Sequence, residues 1–344
     1  MERIGFATGY DKKAGVREMA AWARQAEEAG FELVFFSETI ELMRDSVSAL
    51  AGFACSTHRV TLGCTQVVRL RTPLVMAQTL ATLDELSGGR LLLAPGACTA
   101  THARRHGLEP ADPPTSLVEY VEALRLILSG QRVSYRGRFV QVEEVELGFE
   151  PVRTRIPMLV AATSRTGLRT AARVGDGVLL NATCSPEYDR NAIAILRQER
   201  EATGRPWEGF TVAQIINCSI EDDHRTALDQ VRWEVASKLN PKQLPFIMGP
   251  KLRVGEPYLR QADVPRFEEA WRRGGMEALI QAVPDSYVEG MTASGTPEEV
   301  LARVHQYREA GVQLPILRPA APHQVPRLLR LFSPTPAREG TDAP

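Results

Sequence analysis

The 344-residue chain reads as an α/β protein of the (β/α)8, TIM-like barrel class with insertions. Three observations predict this. Short β-rich apolar runs alternate with longer stretches of helical period, the mark of parallel βα units. Eight such runs can be counted, which suits a closed barrel better than an open doubly wound sheet. No GxGxxG follows an early strand, so the glycine fingerprint of a dinucleotide-binding open sheet is missing.

Residues 4–8 form the first predicted strand. Val16, Met19, Ala20, Ala23 and Ala26 recur at helical spacing and predict a helix over 16–30, stopped by Gly30. The run LVFFS at 33–37 is apolar throughout, as suits a strand buried on both faces. A helix over 46–57, a strand over 60–68, a helix over 74–87 closed by Gly88-Gly89, a strand over 91–94 and a helix over 116–129 follow. Residues 132–147 alternate polar and apolar around Arg136-Gly137 and predict a β-hairpin outside the barrel rhythm. The rhythm resumes with strands at 158–162, 177–181 and 211–220 and helices at 167–174, 186–203 and 222–238. Residues 240–291, rich in Pro, Gly and aromatics, interrupt it as an insertion. Thr296-Pro297-Glu298-Glu299 opens a helix with a cap, a first-turn proline and a capping box. That helix ends near Gly311, and 315–318 is the last strand, with no helix expected after it. The barrel domain thus covers 1–332, and the Pro- and charge-rich residues 333–344 form a loose tail.

Composition narrows the function classes. Hydrophobic residues make up 44% and charged residues 24%, as in a globular protein with a sizeable core. With 41 basic and 42 acidic residues, nothing favours nucleic acid as a partner. No apolar stretch of membrane-spanning length and no signal peptide is expected, so no membrane role is predicted. Five scattered cysteines without a CxxC pair argue against a disulfide framework and a cysteine zinc site, and fit the reducing cytoplasm.

In such barrels the active site lies at the C-terminal ends of the strands. This picks out Ser37, Glu38 and Thr39; Cys64, Thr65 and Gln66; Gly96, Ala97, Cys98, Thr99, Thr101 and His102; Thr163, Ser164, Arg165, Thr166 and Gly167; and Asn181, Thr183 and Cys184. The 163–167 group runs into a helix start, where free N–H groups and the dipole favour an anion, with Arg165 adding charge. The same residues equally fit plain helix capping by Thr163 or Ser164. Glu38 fits either an acid/base group at the mouth or a solvent-facing carboxylate. His102 and His106 share a helix face, but no third ligand accompanies them, so no metal is expected. A catalytic cysteine would need a positioned base; Cys64, Cys98 and Cys184 read as small buried groups.

The run Thr72-Pro73-Leu74 through LATLDELSGGRLLLAPGAC (80–98) resembles a signature of the bacterial-luciferase-like superfamily. So does VAATSRTGLRTAARVGDGVLL (160–180), with EEAGFELVFFSET (27–39) and GTPEEVLARVHQYREAG (295–311) in the expected order. The look is closest to coenzyme F420-dependent reductases. The resemblance implies a barrel that binds coenzyme F420, or alternatively FMN, and acts on a small-molecule substrate as a homodimer. It implies Glu38 and Thr39 near the ring, with Cys64, Thr65 and Gln66 behind it and a cis peptide at Thr65–Gln66. It places Gly96, Ala97, Cys98 and Thr99 at the ring edge. Ala162, Thr163, Ser164, Arg165, Thr166 and Gly167 would hold the phosphate region, beside Asn181 or Thr183. Many deazaflavin members carry Asp-His after strand two, where this chain has Glu38-Thr39. Glu38 and then His102 are therefore the expected catalytic groups. Hydride transfer with F420 is the first expectation; an FMN monooxygenase fed reduced flavin and a non-catalytic flavin-binding barrel are the competitors. Arg69, Arg71 and Arg165 are rim cations suited to an acidic cofactor tail. Phe246, Met248, Tyr258, Phe267 and Trp271 of the insertion suit either a lid over the substrate or a helical subunit interface.

Overall fold

The computed structural model describes residues 2–9, 13–38, 40 and 43–333. The chain opens with β1 (Gly5–Thr8), α1 (Val16–Glu28), β2 (Leu33–Phe36), α2 (Ser46–Ser56), β3 (Thr61–Val67), α3 (Pro73–Ser87) and β4 (Leu91–Gly96). A short helix α4 (Ala100–Arg105) and the long α5 (Pro113–Leu128) lead to a separate antiparallel hairpin, β5 (Val133–Arg136) and β6 (Gln141–Val145). The alternation resumes through β7 (Leu159–Ala161), α6 (Arg165–Val174), β8 (Gly177–Leu180), α7 (Pro186–Ala202), β9 (Thr211–Ile220) and α8 (His224–Leu239). Then come α9 (Leu244–Val254), α10 (Val264–Ala282), α11 (Asp285–Met291), β10 (Ala293–Gly295), α12 (Pro297–Glu309), β11 (Leu314–Pro319) and α13 (Val325–Leu331).

Strands β1, β2, β3, β4, β7, β8, β9 and β11 pair in parallel in that order, and β11 pairs back onto β1. This is the closed eight-stranded barrel expected from the alternation. Its strands look apolar throughout because both faces are buried. Ala7, Phe35, Leu92, Leu179, Ala213 and Ile316 fill the barrel axis. Phe6, Phe36, Leu62, Leu93, Val178 and Val212 turn outward onto the helices. At position 63 an added Cβ would lie 2.8 Å from the Phe35 ring, so Gly63 makes the room that ring occupies.

The helix starts follow their caps. Thr72 receives the Val75 N–H, and Thr296 and Glu299 close the expected capping box. Four features depart from expectation. Residues 240–291 are helical: Pro245 and Pro265 sit in first turns, where proline is tolerated, and α10 is broken at Gly274 and Gly275. The insertion packs a core of its own against α8, built on Met248, Phe267, Leu279 and Val288. Strand β10, three residues long, extends the top of β9 in the register Ala293↔Cys218. Finally, the last barrel strand is followed by a helix, α13.

Candidate functional site

Alternation along the strands fixes which side chains reach the C-terminal mouth. Phe35, Ala94, Leu179 and Ile215 point to the barrel axis, so two residues on, Ser37, Gly96, Asn181 and Asn217 do too. Gly96 pairs with Ala161 on β7, and a Cβ added at Gly96 would meet nothing nearer than 3.8 Å. The mouth therefore has a low wall of small residues on β4 and β7.

On the β2–β3 side, Glu38 is half-buried and tied in place. Its Oε2 accepts the Ser46 N–H at 2.6 Å, and its own N–H donates to Thr65 Oγ1 at 2.8 Å. Gln66 Nε2 donates to Ser46 Oγ at 2.6 Å. The structure thus brings Glu38, Thr65 and Gln66 together, as a polar seam between β2, β3 and the start of α2. Cys64 and Gln66 turn away from the axis by the same alternation that brings Thr65 in. Cys64 sits in the helix-side core, where burial pushes its thiol up to about 12. Thr39 lies outside the described residues. The expected cis peptide at Thr65–Gln66 is a trans bond; the ladder to β4 runs unbroken there, from Thr65↔Ala94 to Val67↔Gly96.

After β4, Ala97 and the buried Cys98 lead to Thr99, whose Oγ1 accepts the His102 N–H at 3.2 Å and caps α4. Burial raises the Cys98 thiol, against the opposing charge of Arg69. His102 is half-buried on α4, and His106 is exposed at its end. Arg69 has the left-handed φ of 73°, unusual for a non-glycine residue. Its Nη2 donates to Glu109 O at 2.9 Å, while its Nη1 is buried without a hydrogen-bond partner. Arg71 is taken up by Asp45 at 2.6 Å.

The group at 162–167 is compact. Ser164, not Thr163, caps α6: its Oγ accepts the Gly167 N–H at 3.0 Å. The helix begins at Arg165, two residues earlier than expected, so Arg165 and Thr166 present first-turn N–H groups that no helical carbonyl can reach. Tyr188 Oη donates to Thr163 O at 2.8 Å, and the Ala162 N–H to Leu179 O at 3.1 Å, fixing the loop. Arg165 is exposed and makes no ion pair among the described residues. Capping by Ser164 therefore leaves the Arg165 and Thr166 N–H groups without helical partners.

The loop after β8 is held by two residues that sequence reading missed, Lys251 and Glu256. Thr183 has φ 60° and is held by Lys251 of α9. The buried Lys251 Nζ donates to Ala182 O at 2.7 Å, Thr183 O at 2.9 Å and Thr183 Oγ1 at 3.0 Å. Glu256 accepts the Ser185 N–H at 2.9 Å, and burial pushes its carboxyl and that of neighbouring Asp189 up. The insertion therefore grips the loop after β8 through Lys251 and Glu256. Of its aromatics, Phe246 is 73% exposed and Phe267 is in the insertion's own core, so neither forms a lining of the mouth. A lone lysine in a Pro- and Gly-rich stretch carries no sequence signal that sets it apart from a surface residue.

Polar atoms without partners mark the same mouth. Ser37 Oγ, Arg69 Nη1 and both amide atoms of Asn217 are buried and unbonded. Such atoms are rare in folded proteins. At the opposite end of the barrel, a recess of about 560 Å³ is lined by Arg3, Arg153 and Arg155 among others. Those three arginines are paired with Glu32, Asp84 and Asp176, and that end of a barrel serves stability.

The chain is similar to known proteins over most of its length. The chain is 26% identical over 306 residues to 5,10-methylenetetrahydromethanopterin reductase of Archaeoglobus fulgidus, covering 86% of this chain and 87% of that one. It is 27% identical over 326 residues to F420-dependent glucose-6-phosphate dehydrogenase of Beutenbergia cavernae, covering 90% and 89%. Among solved structures, the coenzyme F420-dependent tetrahydromethanopterin reductase of Methanopyrus kandleri superposes with a TM-score of 0.83 at 21% identity, covering 96% of this chain and 98% of that one, and shares the fold. Among the described residues no helix is long and apolar enough to cross a membrane. The model of the luciferase-like monooxygenase family matches residues 3–314, and the chain belongs to that family.

Proposed function

We propose that this protein is an oxidoreductase that transfers a hydride between coenzyme F420 and a small organic substrate. The observation that carries this reading is the meeting, at one barrel mouth, of a low wall of small residues with a helix start ready for an anion. Gly96 and Ala161 leave room for a planar ring. The first-turn N–H groups of α6 and the exposed Arg165 would hold a phosphate. Two of the proteins compared above carry coenzyme F420 in their names, which supports the choice of cofactor. When bound, it supplies a ring carbon that gives or takes a hydride.

The chain's own task is to position the substrate, exclude water and handle a proton. Glu38, oriented by the Ser46 N–H, is the first candidate for that proton. His102, half-buried on α4, is the second. Titrating the purified protein with coenzyme F420 and with FMN, followed by fluorescence, tests the reading. Tight F420 binding and weak FMN binding are expected. Tight FMN binding with none for F420 would overturn it in favour of a monooxygenase using reduced flavin. Stoichiometric binding without turnover on any redox substrate would instead support a binding barrel.

A further inference from the structure

Asn217 lies on the inward face of β9, two residues past Ile215 and four past Ala213, both of which fill the barrel axis. It is 1% exposed, and neither its Nδ2 nor its Oδ1 has a hydrogen-bond partner. An unsatisfied buried carboxamide weakens a fold, so an apolar residue of the same size would serve a purely structural role better. Its neighbours do not relieve it. Arg318, level with it on β11, directs its guanidinium to Glu234 at 3.1 Å. The side chains of that ion pair are 4% and 5% exposed and cancel each other's charge. At the end of β2, Ser37 adds a second buried, unpaired hydroxyl facing the same axis.

We propose that Asn217 is the recognising residue of a subsite for an uncharged planar group on the substrate, one that carries a hydrogen-bond donor beside an acceptor, as the edge of an amide or lactam does, with Ser37 facing the same axis from the end of β2. A carboxamide offers an N–H and a carbonyl side by side and matches an edge with the reverse order. The neutral Arg318–Glu234 pair beside it removes the pull toward an anion. The position assigns the subsite to substrate. In the eight-strand ring β9 stands opposite β3, and its C-terminal end leads into α8 and the insertion. The phosphate loop belongs to β7. This assignment rests on the F420-linked reading above.

The test uses the full chain as wild type, Asn217→Leu and Ser37→Ala. Coenzyme F420 is titrated by fluorescence, and nicotinamide, uracil and 6-methylpterin by calorimetry with and without the cofactor; 1-naphthol, which lacks the edge, is the control. Wild type should bind at least one of the three probes, and Asn217→Leu should weaken it by roughly tenfold or more. Ser37→Ala should weaken it less. Affinities for F420 and 1-naphthol should stay within about threefold. Because Leu removes an unsatisfied amide, the variant's Tm should hold or rise, which loss of a structural contact would not give. Unchanged probe affinity in Asn217→Leu overturns the proposal, as does failure of wild type to bind any of the three. A drop in F420 affinity with probe binding intact moves the edge to the cofactor ring and overturns the substrate assignment. A fall in Tm with every ligand weakened alike marks a structural amide and also overturns it. Failure of wild type to bind F420 removes the functional reading, while the cofactor-free titrations still decide the subsite.

Discussion

Replacing Lys251 with methionine tests whether the insertion holds the cofactor side of the mouth in shape. Methionine keeps most of the apolar stem and removes the ammonium. That ammonium is buried and donates to Ala182 O at 2.7 Å, Thr183 O at 2.9 Å and Thr183 Oγ1 at 3.0 Å. A hydrogen bond from a charged group contributes about 1.5–3 kcal/mol. Three such bonds exceed the net loss, because deleting the ammonium also removes the cost of burying it. About 3 kcal/mol remains, at the low end for breaking a buried charged contact. In a chain of this size that lowers Tm by roughly 4 °C. Thr183, held at φ 60°, also relaxes, since the left-handed region costs a threonine about 1–2 kcal/mol. Its movement displaces Asn181 and Ser185, the cap of α7. Scanning fluorimetry and a fluorescence titration with coenzyme F420 read the two effects together. The expected outcome is the loss in Tm and a drop in cofactor affinity of roughly tenfold, both partly restored in Lys251→Arg. A lower Tm with unchanged F420 affinity would refute the link between clamp and site. An unchanged Tm would refute the energetic reasoning itself.

Glu38→Gln keeps an oxygen for the Ser46 N–H but removes the charge; steady-state kinetics should show kcat down by about tenfold or more with cofactor affinity nearly intact. Near-normal turnover would take Glu38 out of the mechanism. Cys55 is exposed, whereas burial pushes the thiols of Cys64 and Cys218 up to about 12 and raises those of Cys98 and Cys184. Native protein at mildly alkaline pH should therefore release one equivalent with a disulfide reagent, and rapid reaction of a second thiol would contradict this. His224 bonds Glu299 at 2.8 Å and Glu289 at 3.2 Å, contacts that hold its pKa above the ordinary histidine value. A raised pKa stabilises the fold fully below about 6.5 and less as pH climbs through the folded value, so His224→Ala should flatten the decline in Tm above that point. Gly63→Ala forces a Cβ to within 2.8 Å of the Phe35 ring and should cost about 1–3 kcal/mol in urea unfolding.

The barrel was legible because its strands are buried on both faces and each is joined to the next by an amphipathic helix. Capping residues placed α3 and α12 within a residue or two. The insertion was not legible as helices. Its prolines sit in first turns and its Gly274-Gly275 pair kinks α10, so residues that usually end helices here begin or bend them. Strand β10, at three residues, is too short to show a period. The helix start at 164–165 was legible because small polar residues before a helix have a chemical reason to be there. Cys64 and Gln66 were drawn in with Thr65 because proximity in sequence is not proximity to a ligand; alternation sends them to the opposite face. Asn217 carries no signal of its own inside the run TVAQIINCSI, where Gln214 and Ser219 are polar as well.

The grip of Lys251 and Glu256 on the 182–185 loop bears on how far this barrel can be re-engineered. The helices α8 to α11 share a core of their own, so they resemble an exchangeable cartridge. Yet two of its side chains complete the wall of the neighbouring compartment. A transplanted segment that brought new contacts for substrate but no cation and carboxylate at these positions would leave Thr183 without its support. Swaps in this region should then succeed or fail first on retention of the coenzyme, before any change in substrate range can be seen.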